Sequence, residues 1–304
     1  MDDISFEVYP GETLGIVGES GCGKSVSSMA IMGLLPKPAG RVTRGEIMFE
    51  GKDLNKASLE HMYAVRGNQI GMIFQEPMTA LNPVHTIQKQ LGEAYRLHHP
   101  DMSEETIFEK SIEMLEKVGI PAPRMRILDF PHQLSGGMRQ RAMIAIALAC
   151  TPELLIADEP TTALDVTIQA QILDLLKSLQ KDLGMAMIFI THDLGVVSNV
   201  CDRVLVMYAG RAVEIASTDV IFNNPKHPYT KGLLSSLPSF HTKPKAKLQT
   251  IEGQVPSLAN MPSGCRFADR CEFAQDKCRE ETPVLESIHD KHQIRCIRWK
   301  EISS

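Results

Sequence analysis

The order of apolar and polar positions along the chain predicts strands that alternate with helices. Four short apolar runs are typical of strands buried on both faces, at 13–18, 69–75, 153–160 and 184–193. Stretches with helical spacing lie between them, at 103–119, 135–150 and 166–182. This alternation predicts an α/β fold with a largely parallel sheet.

Three other segments predict additional β structure. Ile4, Phe6 and Val8 alternate with polar residues, which is typical of a half-buried strand. Residues 45–51 form another short apolar run, and 203–216 predict a hairpin that turns at an Ala-Gly pair. We therefore expect an antiparallel β edge beside the parallel sheet.

The composition and periodicity of the chain also change along its length. Residues of about 85–150 are helical and partly polar, which predicts a helical subdomain inserted in the α/β domain. After residue 222 the chain becomes rich in Pro, Lys and Ser, with little periodicity as far as 262. We expect a nucleotide-binding domain at 1–222 and a small cysteine-containing C-terminal extension at 223–304.

Composition and charge exclude several classes of protein. Apolar residues make up 43% of the 304 residues and charged ones 23%, as in ordinary globular proteins. A net charge of −5 argues against a nucleic-acid partner, which usually requires a basic surface. The acidic, alternating start is unlike a signal peptide, and no apolar run reaches the ~18 residues of a membrane span. We expect a cytosolic location, where disulfides rarely persist.

A glycine-rich segment, GESGCGKS at 18–25, predicts a phosphate-binding loop and a P-loop NTPase core. A predicted strand precedes it and a helix follows, as this motif requires. Glycines let backbone N–H groups face phosphate oxygens, while the lysine reaches the β- and γ-phosphates and the serine hydroxyl binds Mg²⁺. The alternative is a glycine-rich turn that binds no nucleotide. The predicted ATP-binding residues of this loop are Gly18, Glu19, Ser20, Gly21, Cys22, Gly23, Lys24 and Ser25.

Two carboxylates end the predicted strand at 153–160. Asp158 and Glu159 would lie together at the edge of the sheet. A carboxylate pair suits Mg²⁺ coordination by the first residue and activation of a water molecule by the second. A solvated acidic strand end is the alternative.

Six motifs in a fixed order resemble the nucleotide-binding subunit of an ATP-binding-cassette (ABC) transporter, over about residues 1–235. Beyond the phosphate loop and the LLIADE strand, they are IFQEP, LSGGM, ALD at 163–165 and ITHD. The resemblance implies that Gln75 senses Mg²⁺ and the attacking water, and that His192 contacts the γ-phosphate. It also implies that Asp165 lies at a dimer interface. The signature residues that would bind ATP held by the opposite subunit are Ser135, Gly136 and Gly137.

Two departures from the family pattern are visible. Met138 stands where the family usually has glutamine after the signature glycines. The family also normally has another strand upstream of the phosphate loop, with an aromatic residue that stacks on adenine. Only 17 residues precede Gly18 here, and Tyr9 is too close to the loop to be that aromatic residue. Either the chain is truncated or its start codon is placed late. We therefore expect weaker nucleotide affinity, and an exposed sheet edge where the missing strand would pair.

The end of the chain resembles the C-terminal region of oligopeptide and dipeptide importer ATPases, over about 220–300. This resemblance implies a second ATPase subunit, a heterodimer being favoured and a homodimer the alternative, and two membrane permease subunits. It further implies an extracytoplasmic peptide-binding protein and a peripheral location on the cytoplasmic face of the membrane. A nickel or glutathione importer, a soluble ABC ATPase of translation or DNA repair, and a non-enzymatic cassette are the alternatives.

Four cysteines near the C-terminus have the spacing C-x5-C-x6-C-x17-C: Cys265, Cys271, Cys278 and Cys296. Structural zinc sites usually contain close C-x2-4-C pairs, whereas wider spacing suits the thiolates of an iron–sulfur cluster. We therefore expect a [4Fe-4S] cluster at these residues. Zinc, with His289 or His292 replacing a cysteine, and no metal at all are the alternatives.

Overall fold

The computed structural model of the chain describes residues 1–76, 80–162, 164–237, 250–257, 260–289 and 291–302. The chain divides into two compact units. The phosphate-loop unit comprises Met1–Glu7, Thr13–Ser27 and Ile190–Ser304, and the helical unit comprises Val8–Glu12 and Ser28–Phe189. Several predicted residues lie outside the described ones: Pro77 of the IFQEP motif, Ala163 of the ALD motif, and 238–249 and 258–259 of the stretch that is rich in Pro, Lys and Ser.

The described strands and helices alternate as the sequence predicts. The strands are β1 (Thr13–Val17), β2 (Met48–Phe49), β3 (Lys52–Asp53), β4 (Ile70–Ile73), β5 (Leu154–Asp158), β6 (Ala186–Thr191), β7 (Arg203–Tyr208), β8 (Arg211–Ser217), β9 (Glu286–His289) and β10 (His292–Ile294). The helices are α1 (Lys24–Ile31), α2 (Leu59–Val65), α3 (Ile87–His98), α4 (Glu104–Lys117), α5 (Pro123–Arg126), α6 (Gly136–Leu148), α7 (Val166–Leu183), α8 (Leu194–Val200), α9 (Thr218–Asn223), α10 (Pro228–Ser235), α11 (Asp276–Glu280) and α12 (Trp299–Ile302).

The sheet of the phosphate-loop unit combines one parallel pair with antiparallel strands. Its order is β1-β7-β8-β10-β9, with β1 and β7 parallel. The predicted hairpin is confirmed: β7 and β8 are antiparallel, and Ala209 and Gly210 both have positive φ at the turn, 44° and 79°. Two successive residues with positive φ twist the turn in the sense that matches the twist of the two hairpin strands. The predicted antiparallel edge is therefore present.

The first residues of the chain correct one prediction. Ile4, Phe6 and Val8 are more buried than their neighbours, as the alternation indicates, yet residues 2–9 form no strand. Arginine side chains hold this segment instead: Arg211 and Arg266 both pair with Asp2, at 2.7 and 2.9 Å. An alternating pattern reports the burial of side chains, whereas a strand also needs a backbone partner.

The C-terminal residues join the sheet of the phosphate-loop unit. β10 is antiparallel to β8, with Gln293 opposite Ile215. A separate cysteine-containing module is not confirmed, because residues 264–296 belong to the same compact unit as β1. The functional division at 222–223 stays a prediction.

The helical unit contains the strands β4, β5 and most of β6, neighbours in that order. β4 and β5 are parallel, and β4 is wholly buried. The predicted helical subdomain is confirmed in α3 to α6, of which α3, α4 and α6 pack on one another. The predicted strand at 45–51 is instead the tight hairpin β2–β3, because Glu50 and Gly51 turn the chain with positive φ of 50° and 73°.

None of the described helices is both long enough and apolar enough to cross a membrane.

Candidate functional site

The phosphate loop lies between β1 and α1, in a conformation that its glycines make possible. Gly18, Gly21 and Gly23 have φ of 153°, 79° and 105°, values that side chains disfavour. A Cβ on Gly18 would lie 2.2 Å from the carbonyl oxygen of Met207, so the loop passes close against β7. Around Gly21 such an atom would meet nothing within 4 Å, which leaves the crown of the loop accessible.

Lys24 folds back over the loop that precedes it. Its Nζ donates to the carbonyl oxygen of Gly18 at 2.8 Å and to that of Glu19 at 3.4 Å, and the side chain is buried. The small, buried side chain of Cys22 fits beneath the loop, and burial raises the pKa of its thiol. The ammonium group thus lies against the same loop whose N–H groups would face a phosphate.

The carboxylate pair lies at the end of β5, in the helical unit. Because β4 and β5 are parallel, with Ile73 opposite Ala157, the residues that follow both strands share one sheet edge. Gln75 follows β4, and its Nε2 donates to Oε2 of Glu159 at 3.0 Å. The hydroxyl of Thr162 donates to the same oxygen, also at 3.0 Å.

The backbone at this edge is strained. Glu159 has φ of 47°, in the left-handed region that non-glycine residues rarely adopt. Such strain is typical of residues whose side chain must be aimed for function. The preceding Asp158 is buried and accepts a hydrogen bond from the hydroxyl of Ser28 at 3.4 Å. One carboxylate is therefore enclosed, and the other is directed by two donors.

The signature segment forms the start of α6. Ser135 caps the helix, its hydroxyl accepting from the N–H of Met138 at 3.3 Å. A Cβ on Gly136 would meet nothing within 4 Å, whereas one on Gly137 would lie 3.2 Å from Ile168. The exposed helix start thus presents N–H groups and a positive dipole end, an arrangement suited to an anion.

Two further hydrogen bonds hold neighbouring parts of the helical unit, and one of them involves the signature helix. Gln140, buried on α6, donates through its side-chain amide to the carbonyl oxygen of Pro160, just after the carboxylate pair. Asp165 caps α7 and accepts from the N–H of Ile168 at 2.9 Å. The hydrogen bond from Gln140 therefore joins the signature helix to the residues that follow β5.

His192 lies in the phosphate-loop unit, between the end of β6 and the start of α8. The hydroxyl of Thr191 accepts from the N–H of Asp193 at 3.0 Å, and Asp193 caps α8. These bonds fix the backbone on both sides of His192, whose side chain is exposed.

Sequence reasoning missed several residues that hold the predicted ones. Arg270 and Tyr229 contact Glu19, Thr162 contacts Glu159, and Gln140 contacts the Pro160 backbone. Thr162 lies close enough in sequence to have been suspected as a local partner. Arg270 is 251 positions from Glu19, and nothing in its sequence surroundings indicates that contact.

The family of the chain follows from comparison with known proteins. A family model described as "ABC transporter" matches residues 1–162, and one described as "Oligopeptide/dipeptide transporter, C-terminal region" matches 213–278. The oligopeptide transport ATP-binding protein OppD of Bacillus subtilis (strain 168) is 54% identical, over 96% of this chain and 81% of that protein. The chain belongs to the ABC transporter family.

Other relatives agree with this ABC assignment. The dipeptide transport ATP-binding protein DppD of Bacillus subtilis (strain 168) is 53% identical, over 96% of this chain and 87% of that protein. A solved dimeric ATP-binding cassette, described as a post-hydrolysis state bound to ADP and Pi, is 28% identical with a TM-score of 0.63. That likeness covers 71% of this chain and 89% of the cassette. The predicted fold is confirmed: a largely parallel α/β sheet, antiparallel strands and a helical subdomain.

This ABC protein is an ATPase, and ATP with Mg²⁺ is its implied cofactor pair. The donors of this chain fit both groups. The glycine-lined cradle and Lys24 suit phosphates, and the oxygen atoms of Ser25, Asp158 and Gln75 are of the type that Mg²⁺ prefers. Which of these residues ligate the metal stays a prediction.

The predicted iron–sulfur cluster is wrong, and zinc is equally unsupported. Within the part of the chain that the structure describes, no group of three or more His, Cys, Asp or Glu side chains could hold a metal ion. Cys265, Cys271, Cys278 and Cys296 do line one cavity, but its volume is about 20 Å³. Such a space suits about one water molecule and not a cuboid of iron and sulfide.

Burial also affects the thiols that line the cysteine cavity, and a neighbouring histidine has its own partner. Burial raises the pKa of the Cys265 thiol, that of Cys271 to about 11 and that of Cys296 to about 12. In each case burial favours the neutral thiol over the thiolate. His292 is bonded to Glu214, with 2.9 Å between Nε2 and Oε1, and so does not replace a cysteine. The cluster is predicted from cysteine spacing alone, and spacing does not report the volume between the thiols.

Proposed function

We propose that this chain is the ATP-hydrolysing, nucleotide-binding subunit of an importer of dipeptides or oligopeptides. The observation that carries the proposal is the match of residues 213–278 to the C-terminal region of oligopeptide and dipeptide transporters, which follows a matched ABC cassette. Relatives that are more than half identical over nearly the whole chain carry oligopeptide and dipeptide transport names. A nickel or glutathione importer is not favoured by these names.

The site residues have distinct proposed roles. Glu159 is the base that polarises water onto the γ-phosphate, and Gln75 senses that water and Mg²⁺. Asp158 and Ser25 hold Mg²⁺ while His192 contacts the γ-phosphate. The phosphate loop at 18–25 binds the nucleotide, within the proposed nucleotide-binding domain 1–222.

The signature residues have a different role, toward a second subunit. Ser135, Gly136 and Gly137 present the N-terminus of α6 to ATP held by the opposite ATPase, and Asp165 lies at that interface. The dimeric solved cassette supports this arrangement. A heterodimer with a second ABC ATPase is favoured and a homodimer is the alternative.

The remaining partners complete the proposed importer. Two membrane permease subunits would receive the closing motion of the ATPase pair, and an extracytoplasmic binding protein would deliver the peptide. The chain would act as a peripheral subunit on the cytoplasmic face of the membrane, with the extension at 223–304 as a region specific to peptide importers.

Uptake of labelled peptides tests the proposal. In cells that lack the chain, the wild-type protein should restore ATP-dependent uptake of a labelled dipeptide or tetrapeptide, whereas Lys24→Ala should not. Lys117→Ala, an exposed lysine of α4, is the matched control. Restoration of nickel or glutathione uptake, with peptide uptake unaffected, would replace the proposed substrate.

A further inference from the structure

A bidentate ion pair joins the C-terminal extension to the phosphate loop within the phosphate-loop unit. Nη1 of Arg270 donates to Oε2 of Glu19 at 2.6 Å, and Nη2 donates to Oε1 at 2.9 Å. The Arg270 side chain is 5% exposed and that of Glu19 30%. Enclosed, two-pronged pairs of this kind are stronger and more directional than exposed ones.

The guanidinium group of Arg270 also donates hydrogen bonds to acceptors other than Glu19. Besides Glu19, its Nε donates to the carbonyl oxygen of Glu252 at 3.0 Å, and Nη2 donates to that of Ile251 at 3.2 Å. Nη1 also donates to the hydroxyl of Tyr208 at 3.4 Å. These contacts occupy all five N–H donors of an arginine. A lysine, with a point charge and no planar fork, cannot reproduce them.

A second residue of the extension holds the backbone of the same loop position. The hydroxyl of Tyr229 accepts from the N–H of Glu19 at 3.0 Å. Its ring is fully buried against Tyr208 and Phe267, with ring centroids 4.7 and 5.3 Å away. The aromatic cluster fixes where the hydroxyl lies, and so fixes one N–H group of the loop.

Glu19 is thus held at three points. Its side chain is bound by Arg270 and its N–H by Tyr229, while its carbonyl oxygen accepts from Lys24 at 3.4 Å. A loop with three glycines has much conformational freedom, and binding a nucleotide would have to remove it. Contacts that restrict the loop in advance reduce that entropic cost and raise affinity.

We propose that Arg270 and Tyr229 are positioning residues, through which the C-terminal extension holds the phosphate loop in its nucleotide-binding conformation. This inference rests on the proposed ATPase function. It makes ATP affinity depend on a region outside the cassette motifs, and any event that displaces Arg270 would loosen the loop.

The experiment uses the purified full chain and three variants, Arg270→Ala, Arg270→Lys and Tyr229→Phe. Arg279→Ala is the matched control, because Arg279 lies in the same region but pairs with Asp269 at an exposed surface, 53% and 68% exposed. The measurements are MgATP affinity by calorimetry, thermal unfolding, and amide hydrogen exchange of a peptide that covers residues 18–25.

Both Arg270 variants should weaken MgATP binding about tenfold or more, and Tyr229→Phe about threefold, from the worth of the hydrogen bonds removed. Amide exchange in the phosphate loop should accelerate in all three and stay unchanged in Arg279→Ala. A merely structural role would lower thermal stability without this local change. If Arg270→Ala does not fold, Arg270→Lys and Tyr229→Phe decide the matter.

The possible failures are distinguishable. ATP affinity and loop exchange equal to those of Arg279→Ala in every foldable variant would overturn the positioning role, while the wild type still bound ATP. Absence of ATP binding by the wild type, with no difference from Lys24→Ala, would instead overturn the proposed function.

Discussion

Gln75 donates its side-chain amide to Glu159, with 3.0 Å between Nε2 and Oε2, and Thr162 donates to the same oxygen. Two donors on one oxygen fix the rotamer of the carboxylate, and the positive φ of Glu159 fixes the backbone beneath it. If Glu159 is the base, as proposed, these two donors orient the carboxylate that receives the proton from water. This relationship makes the role of each of the three residues testable.

Replacement of Glu159 by Gln removes the proposed base and keeps the shape of the side chain. The turnover number should fall about 10²- to 10⁴-fold, the usual contribution of a general base, while ATP binding persists. The ATP-bound dimer with the partner ATPase should therefore accumulate, as measured by analytical ultracentrifugation. Glu93→Gln, at an exposed position of α3, is the control. Persistent turnover would show that another group is the base.

The same variant addresses the choice of partner. If the Glu159→Gln chain dimerises alone with ATP, a homodimer is sufficient. If it dimerises only when mixed with a second ABC ATPase, the favoured heterodimer is correct. Sedimentation of the chain with and without that subunit separates the two results.

Replacement of Thr162 by Val removes one donor from Glu159 and keeps the volume of the side chain. Loss of one hydrogen bond of about 1 kcal/mol should lower the turnover number about fivefold and leave the KM for ATP nearly unchanged. The measurement is steady-state ATP hydrolysis, with Thr161→Val as the matched control. A change confined to KM would contradict a role in orienting the base.

Replacement of Gly136 by Asp separates the stability of α6 from its proposed role toward a second subunit. The new side chain has open space around it, and an acidic residue in the first turn favours the helix dipole, so the variant should fold normally. Facing the phosphates of an opposing ATP, however, it should abolish ATP-dependent association. Leu59→Asp, at the first position of α2 and 64% exposed, is the control. If Gly136→Asp still associates normally in the presence of ATP, the proposed contact between the signature residues and an opposing ATP is wrong.

The stability of the phosphate-loop unit should depend on pH through His227. Burial lowers the pKa of this histidine from 6.5 to about 4, and its Nδ1 accepts the N–H of Tyr229 at 3.1 Å. The unfolded chain therefore binds more protons between these two values. The free energy of unfolding should be undiminished above about pH 6.5 and fall as the pH is lowered toward 4, by at most about 3 kcal/mol.

Thermal unfolding at pH 7.5 and pH 5 measures this effect. The melting temperature of His227→Gln should be lower at pH 7.5 but should change less between the two conditions than that of the wild type. His99→Gln, at the exposed end of α3, should retain the wild-type pH dependence. Equal pH dependence in the His227 variant and the wild type would assign the effect to other groups.

Some elements were predictable because their causes are local. Ser103 and Ser135 cap their helices through contacts within three residues, and Gly18, Gly21 and Gly23 adopt backbone angles that other residues avoid. The N-terminal alternation failed as a strand, since pairing depends on a neighbour that the pattern does not contain. The cysteine spacing failed to predict a cluster for a similar reason, because the volume between the thiols is a property of the packed structure.

The sequence by itself determined the family, the α/β order and the positions of the phosphate loop, the carboxylate pair and the signature helix. Short-range sterics and hydrogen bonds specify each of these motifs within a few residues. Only the tertiary structure decided that Arg270 binds Glu19 and that Gln75 binds Glu159, at sequence separations of 251 and 84. Such contacts depend on strand register and on the packing of distant segments, which no single stretch of the chain encodes.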